Sequence, residues 1–206
     1  MRPLPAPPLL LITDRTQAAG GLLAAVTACV EAGCRWVSVR EKDLPASEQA
    51  ALLRALRPLL ANVGGTLTIH GDPALASLCD GVHLPDGADI AAIRTTLSPQ
   101  TLVGASCHDP AGVMAAAKAG ADYATLSPIF LTVSKPGYGP ALGPSVLSGL
   151  PLPTLALGGV EAGNLLACMA AGAAGVAVMG APMRDPGDMT GLLSVLAATR
   201  GRKAGI

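Results

Sequence analysis

One unit recurs along this chain of 206 residues: an alanine-rich stretch ends at Ala-Gly, and a short apolar run follows within a few residues. It appears as CVEAGCRWVSVRE at 29–41, AAKAGADYATLSP at 116–128 and CMAAGAAGVAVMG at 168–180, and in reduced form as LCDGVHLP at 78–85. Gly33, Gly120 and Gly172 fall just past a helix end, where a positive φ costs glycine nothing. The apolar runs read as continuous, without alternation, the pattern of parallel strands covered on both faces. Eight runs are expected as strands: 9–13, 36–40, 66–70, 81–84, 101–106, 123–127, 154–158 and 175–179. Helices are expected at 18–32, 46–60, 73–79, 88–97, 110–119, 162–171 and 187–200, with a turn at 144–149. Eight strand-then-helix units in order predict an α/β chain closed as a single-domain (β/α)8 TIM barrel over 1–206. An open doubly wound sheet would want a glycine-rich turn after the first strand. The turn here reads TDRTQAAGG, which is not that fingerprint.

Composition narrows the function classes. Half the residues are hydrophobic but only 2% are aromatic, so the core must be built from Ala, Val, Leu and Ile. The formal net charge of +0 predicts no basic face for nucleic acid. The five cysteines form no CxxC pair and are odd in number, which reads as reduced core residues of a cytoplasmic protein. No apolar run is long enough to suggest a membrane partner. The prolines near the start and Asp14 argue against a signal peptide. Self-association as a homo-oligomer is left open.

In a barrel, active residues gather at the carboxyl ends of the strands. Those positions hold a polar set in a chain where only 14% of residues are charged: Asp14 and Arg15; Arg40, Glu41 and Lys42; His70 and Asp72; His83 and Asp86; Ser106 and His108; Thr132, Ser134 and Lys135. The plainer reading is that loops are polar anyway. Arg40 and Lys42 suit a phosphate or diphosphate, Arg as a fork and Lys as a point charge. The alternative is a surface ion-pair cluster with Asp43. Gly158 and Gly159, then Met179 and Gly180, follow the last two strands, where backbone amides commonly meet phosphate; tight strand–helix packing would use the same glycines. Residues 130–143 read either as a lid carrying Lys135 or as a solvated loop.

With these residues in view, the chain resembles the thiamine phosphate synthase and thiazole tautomerase (TenI-like) superfamily. The resemblance rests on LITDR (11–15), VREK (39–42), DGVHLP (80–85), GASCH (104–108), AGADYATLSPIFLTVSK (119–135), LALGGV (155–160) and AGAAGVAVMGA (171–181). It implies a (β/α)8 barrel acting on a thiazole phosphate. One branch joins an aminopyrimidine diphosphate to the thiazole phosphate with Mg²⁺ and releases diphosphate. By that resemblance Arg40, Lys42, Ser106, Thr132 and Lys135 would hold the diphosphate. The chain departs from this branch: His70-Gly71 stands where the family has Asn-Asp, Ala88 where it has a second metal-binding Asp, and Ser38 where it has Gln.

The other branch isomerises a carboxythiazole phosphate without metal, and Leu84-Pro85 and GDPALA (71–76) resemble it. Its histidine after strand six is Pro128 here. A proton shuttle needs a titratable group within hydrogen-bond reach, and His70, at a strand end, is the candidate. The expectation is therefore a metal-independent tautomerase with His70, Lys135 and Ser106 as catalytic residues and no cofactor. The alternative is a synthase with Mg²⁺, and a third reading is a non-catalytic binder of thiazole or thiamine phosphates. Asp72 is expected as the N-cap of the helix beginning at Pro73 rather than as a metal ligand.

Overall fold

The computed structural model describes residues 2–131 and 139–203. Eight parallel strands pair in sequence order and close, the last on the first. They are β1 (Leu9–Ile12), β2 (Trp36–Val39), β3 (Thr66–His70), β4 (Gly81–Leu84), β5 (Leu102–Cys107), β6 (Tyr123–Leu126), β7 (Thr154–Ala156) and β8 (Gly175–Val178). The helices are α1 (Leu22–Glu31), α2 (Ala46–Ala61), α3 (Ile90–Thr96), α4 (Pro110–Lys118), α5 (Leu165–Ala170), α6 (Gly180–Arg184) and α7 (Gly187–Lys203). Short 3₁₀ segments, Pro73–Leu78 and Pro144–Leu147, stand where full helices would follow β3 and β6. The predicted barrel is thus the observed one.

One boundary moved for a local reason. The helix expected from 18 begins at Leu22, because Gly20 and Gly21 adopt φ of 70° and 93°, outside the helical region. The sequence pattern also missed α6, five residues in the β8–α7 connection, too short to show a helical period. Gly33, Gly120 and Gly172 do sit at helix ends with φ of 113°, 92° and 108°.

The expectation of strands without alternation is corrected. Each strand alternates between two apolar environments. One set, including Leu9, Leu11, Val37, Val39, Leu67 and Ile69, packs under the helices. The other fills the barrel: Leu10, Ile12, Trp36, Leu102, Tyr123, Leu155 and Ala177. Trp36 and Tyr123 meet edge to face inside it, ring centroids 4.8 Å apart at 70°. In a chain this poor in aromatics, these two rings plug the lower barrel. Above them, the interior positions of the same strands turn polar: Ser38, Thr68, His70, His83, Ser106 and Thr125. Hydropathy hides this period of two, because the lower interior is as apolar as the outside.

Candidate active site

The polar ring opens at the carboxyl ends of the strands. β2 carries its end of the site on a buried carboxylate. Glu41, 2% exposed, accepts from Thr13 Oγ1 at 2.7 Å and from the Arg15 backbone N–H, and the Arg15 guanidinium lies 3.4 Å away. Thr13 Oγ1 in turn accepts from the Arg40 N–H at 2.8 Å. This stitches the β1 and β2 ends together and sets where Arg40 and Lys42 leave the barrel. Glu41 is therefore an architectural group, and Arg15 pairs it with Asp43 at 2.6 Å. The surface ion-pair cluster weighed for VREK exists, but it belongs to Arg15. Arg40 is half-buried and Lys42 exposed. Asp14 loses some solvation by burial, yet hydrogen bonds from Thr16 and Gln17 and the charge of Arg40 outweigh that and hold its carboxyl below the usual range.

Inside the mouth, His70 and His83 are register partners on β3 and β4, with ring centroids 5.0 Å apart. His83, 1% exposed, is the hub: Nδ1 lies 3.0 Å from the Tyr123 hydroxyl, and Nε2 lies 3.1 Å from Ser106 Oγ and 3.3 Å from Thr125 Oγ1. Burial, reinforced by the Lys42 charge, pushes the His83 imidazole down to about 3. Burial also raises the Tyr123 phenol. Both are neutral at ordinary pH, so this is a hydrogen-bonding device rather than a charged one. His108 lies exposed on the rim, donating from Nδ1 to the Ser127 carbonyl at 3.0 Å.

Among the candidates read from sequence, Arg40, Lys42, His70 and Ser106 converge on this mouth. His70 and Ser106 connect through His83, which belongs to the polar set at the strand ends but not to the expected catalytic residues. The register, which only the structure gives, shows why it was missed: His83 lies two residues after Gly81 on β4, which pairs Gly81 with Leu102 and His83 with Gly104. Parity with the interior Leu102 therefore points His83 inward. Tyr123 and Thr125 were missed for the same reason. Thr132 and Lys135 lie outside the described residues.

The glycine candidates show a packing role. At Gly158 (φ 91°) a Cβ would stand 2.9 Å from Pro128 Cα; at Gly159 (φ 63°), 2.5 Å from the Leu131 carbonyl oxygen. The Ile129 and Phe130 amides donate to the Leu157 and Gly158 carbonyls, so this turn buttresses the loop after β6. Gly180 starts α6, and a Cβ there would meet Gln17 Oε1 at 2.5 Å. Met179 packs on the interior cluster.

Two carboxylates on the rim cap helices. Asp72 accepts from the Ala74 N–H at 2.9 Å and caps Pro73–Leu78, as expected; Asp89 accepts from the Ala92 N–H at 3.0 Å and caps α3. Among the described residues, no group of three or more His, Cys, Asp and Glu is arranged to hold a metal ion. Asp72 and Asp89, the carboxylates nearest the places where the resembled synthase branch has its metal-binding aspartates, each engage one oxygen as a helix cap. Asp72→Asn is accordingly expected to keep the cap and the activity, while Asp72→Ala and Asp89→Ala each lower stability by about 1 kcal/mol in urea unfolding. A loss of activity in Asp72→Asn would mark that oxygen as a ligand.

The model of the family described as thiamine monophosphate synthase matches residues 9–181. The chain belongs to this family. A relative from Geobacter sulfurreducens, named "Putative thiamine-phosphate synthase", is 44% identical over 186 residues, covering 86% of this chain and 87% of its own. A "Thiamine-phosphate synthase" from Roseiflexus sp. is 35% identical over 197 residues, covering 89% and 83%. Among solved structures, a thiamine phosphate pyrophosphorylase from Pyrococcus furiosus superposes with a TM-score of 0.81 over 92% of this chain and 95% of that one; at 23% identity this likeness concerns the fold. The chain is thus a barrel enzyme of a thiamine-biosynthesis family. No helix among the described residues is long and apolar enough to cross a membrane.

Proposed function

We propose that this chain is a thiamine-phosphate synthase: it joins an aminopyrimidine diphosphate to a thiazole phosphate and releases diphosphate. This replaces the tautomerase as the leading reading, because the curated relatives carry the synthase name over most of their length. The geometric observation that carries it is the pair of cations at one strand end, Arg40 and Lys42, fixed by the Thr13–Glu41 clamp beside a neutral hydrogen-bonding cup. The bond to the diphosphate breaks as the new carbon–nitrogen bond forms, so charge grows on the departing oxygens. A guanidinium fork and an ammonium preset beside that position favour this charge without reorganising. Ser106, the half-buried member of the cup, is the hydroxyl donor closest to solvent. No step is routed through a metal.

Arg40→Ala is expected to lower kcat/KM for thiamine phosphate formation by about a hundredfold, the scale of losing one preset charge-stabilising donor. Its unfolding midpoint should barely move, because the Arg40 side chain is not part of the Glu41 clamp; the N–H that is survives in alanine. Steady-state kinetics and a thermal melt separate the two.

The caps on Asp72 and Asp89 favour one further reading, the metal-independent thiazole tautomerase, with His70 as proton carrier. A single set of assays decides. The purified protein is given aminopyrimidine diphosphate with thiazole phosphate, with added Mg²⁺ and with EDTA, and separately the carboxythiazole phosphate tautomer. Thiamine phosphate formation at enzymatic rates supports the synthase. Conversion of the tautomer alone, lost in His70→Ala, overturns it. Binding of thiazole phosphate with neither reaction leaves the binder.

A further inference from the structure

The fully buried Tyr123 hydroxyl determines how the His83 ring is protonated. Tyr123 is 0% exposed, and its hydroxyl contacts His83 Nδ1 at 3.0 Å. A phenol O–H buried without an acceptor loses its hydration and gains nothing in exchange. Nδ1 can accept that hydrogen only when it carries none of its own, and a neutral imidazole then has its proton on Nε2. Nε2 faces Ser106 Oγ at 3.1 Å and, slightly farther, Thr125 Oγ1 at 3.3 Å. In the reverse tautomer Nδ1–H would donate to the phenol oxygen, leaving the buried phenol hydrogen without an acceptor in this group, and two hydroxyls would compete for one ring lone pair. Ser106 is the only one of these four residues with more than 1% of its surface exposed.

We infer that Tyr123 and His83 are positioning residues: Tyr123 donates to Nδ1, Nε2–H donates to Ser106 Oγ, and the Ser106 hydroxyl hydrogen is thereby turned outward as a donor to an anionic substrate oxygen at the barrel mouth. No group in the chain changes charge, and no proton is transferred. The chain of donors holds one rotamer of one hydroxyl, so the donor is in place before charge develops. The neutral state of His83 follows from its burial and keeps this polarity constant across ordinary pH. The identity of the substrate oxygen rests on the synthase reading; the direction of the chain does not.

The test has two arms. In full-length protein labelled with ¹⁵N-histidine, nitrogen-detected correlation spectra should show His83 as the neutral Nε2–H tautomer, moving toward Nδ1–H in Tyr123→Phe. A wild-type His83 with its proton on Nδ1, or protonated on both nitrogens, overturns the inference. In the kinetic arm, Tyr123→Phe should lower kcat/KM for thiamine phosphate formation about five- to tenfold, the equivalent of one misdirected hydrogen bond. The same change in a Ser106→Ala background should have no further effect, because the hydroxyl it positions is gone. Losses that simply multiply would mean that Tyr123 acts elsewhere and overturn the chain. His83→Gln, whose amide can donate to Ser106, should retain most of the activity that His83→Leu loses. If the wild type makes no thiamine phosphate, the synthase reading fails, and the spectra, which need no substrate, still decide this inference.

Discussion

Gly104→Ala is expected to destabilise the fold by about 3 kcal/mol or more, the upper range for forcing atoms into a packed interior. A Cβ at this position would stand 2.1 Å from Tyr123 Cζ and 2.4 Å from Cε1. Tyr123 has nowhere to retreat. Its ring is held edge-on by Trp36, its hydroxyl is bonded to His83, and β6 is in register with β5 through Gly104 and Tyr123 themselves. Any shift of the ring therefore breaks the His83 contact and opens the plug. The urea midpoint should fall with little change in the m-value. Gly112→Ala, where a Cβ would find its nearest neighbours at an ordinary 3.5 Å inside α4, is the control and should be neutral or stabilising by about 0.5 kcal/mol. Equal behaviour of the two variants would mean that the barrel interior is looser than this packing implies.

Stability should also fall as pH drops through the range set by His83. Its folded value is about 3 and its unfolded value 6.5. Above 6.5 the ring is neutral in both states and contributes no slope. Below it the unfolded chain takes up a proton that the folded chain refuses, so unfolding is favoured with each step down. The expected slope is about 1.4 kcal/mol per pH unit from this one group, continuing until the folded value is reached. The groups around it act in one direction: the Lys42 charge opposes protonation, while Tyr123, Ser106 and Thr125 are neutral partners. Denaturant unfolding of wild type and His83→Gln between pH 6.5 and 5 isolates the term, because most carboxylates are still ionised there. His70, which lies against His83, is present in both proteins. Parallel curves would show that His83 is not buried as a neutral ring.

The repeat of helix, Ala-Gly turn and apolar strand was enough, by itself, to determine the barrel. Helix ends favour glycine at positive φ, and eight strand–helix units in series without a glycine-rich first turn favour closure over an open doubly wound sheet. The rim also followed, since the position of Arg40, Lys42, His70 and Ser106 at or near strand ends is a matter of counting. The capping role of Asp72 was legible because Asp before Pro at a helix start has a local cause. Other features were not local. In the sequence His83 is one polar residue in an apolar run; only closure of the barrel shows that its face is the interior one, shared with Tyr123, Ser106 and Thr125. Glu41 read as one more rim charge until β1 and β2 were placed side by side with Thr13 between them. Gly158 and Gly159 read as either phosphate cradles or packing glycines, and the loop folded against them after β6 gives the packing a definite partner. In each case the deciding contact joins residues from different strand–loop units. A barrel interior is assembled from one or two side chains per strand, so what fills it is settled only when all eight close.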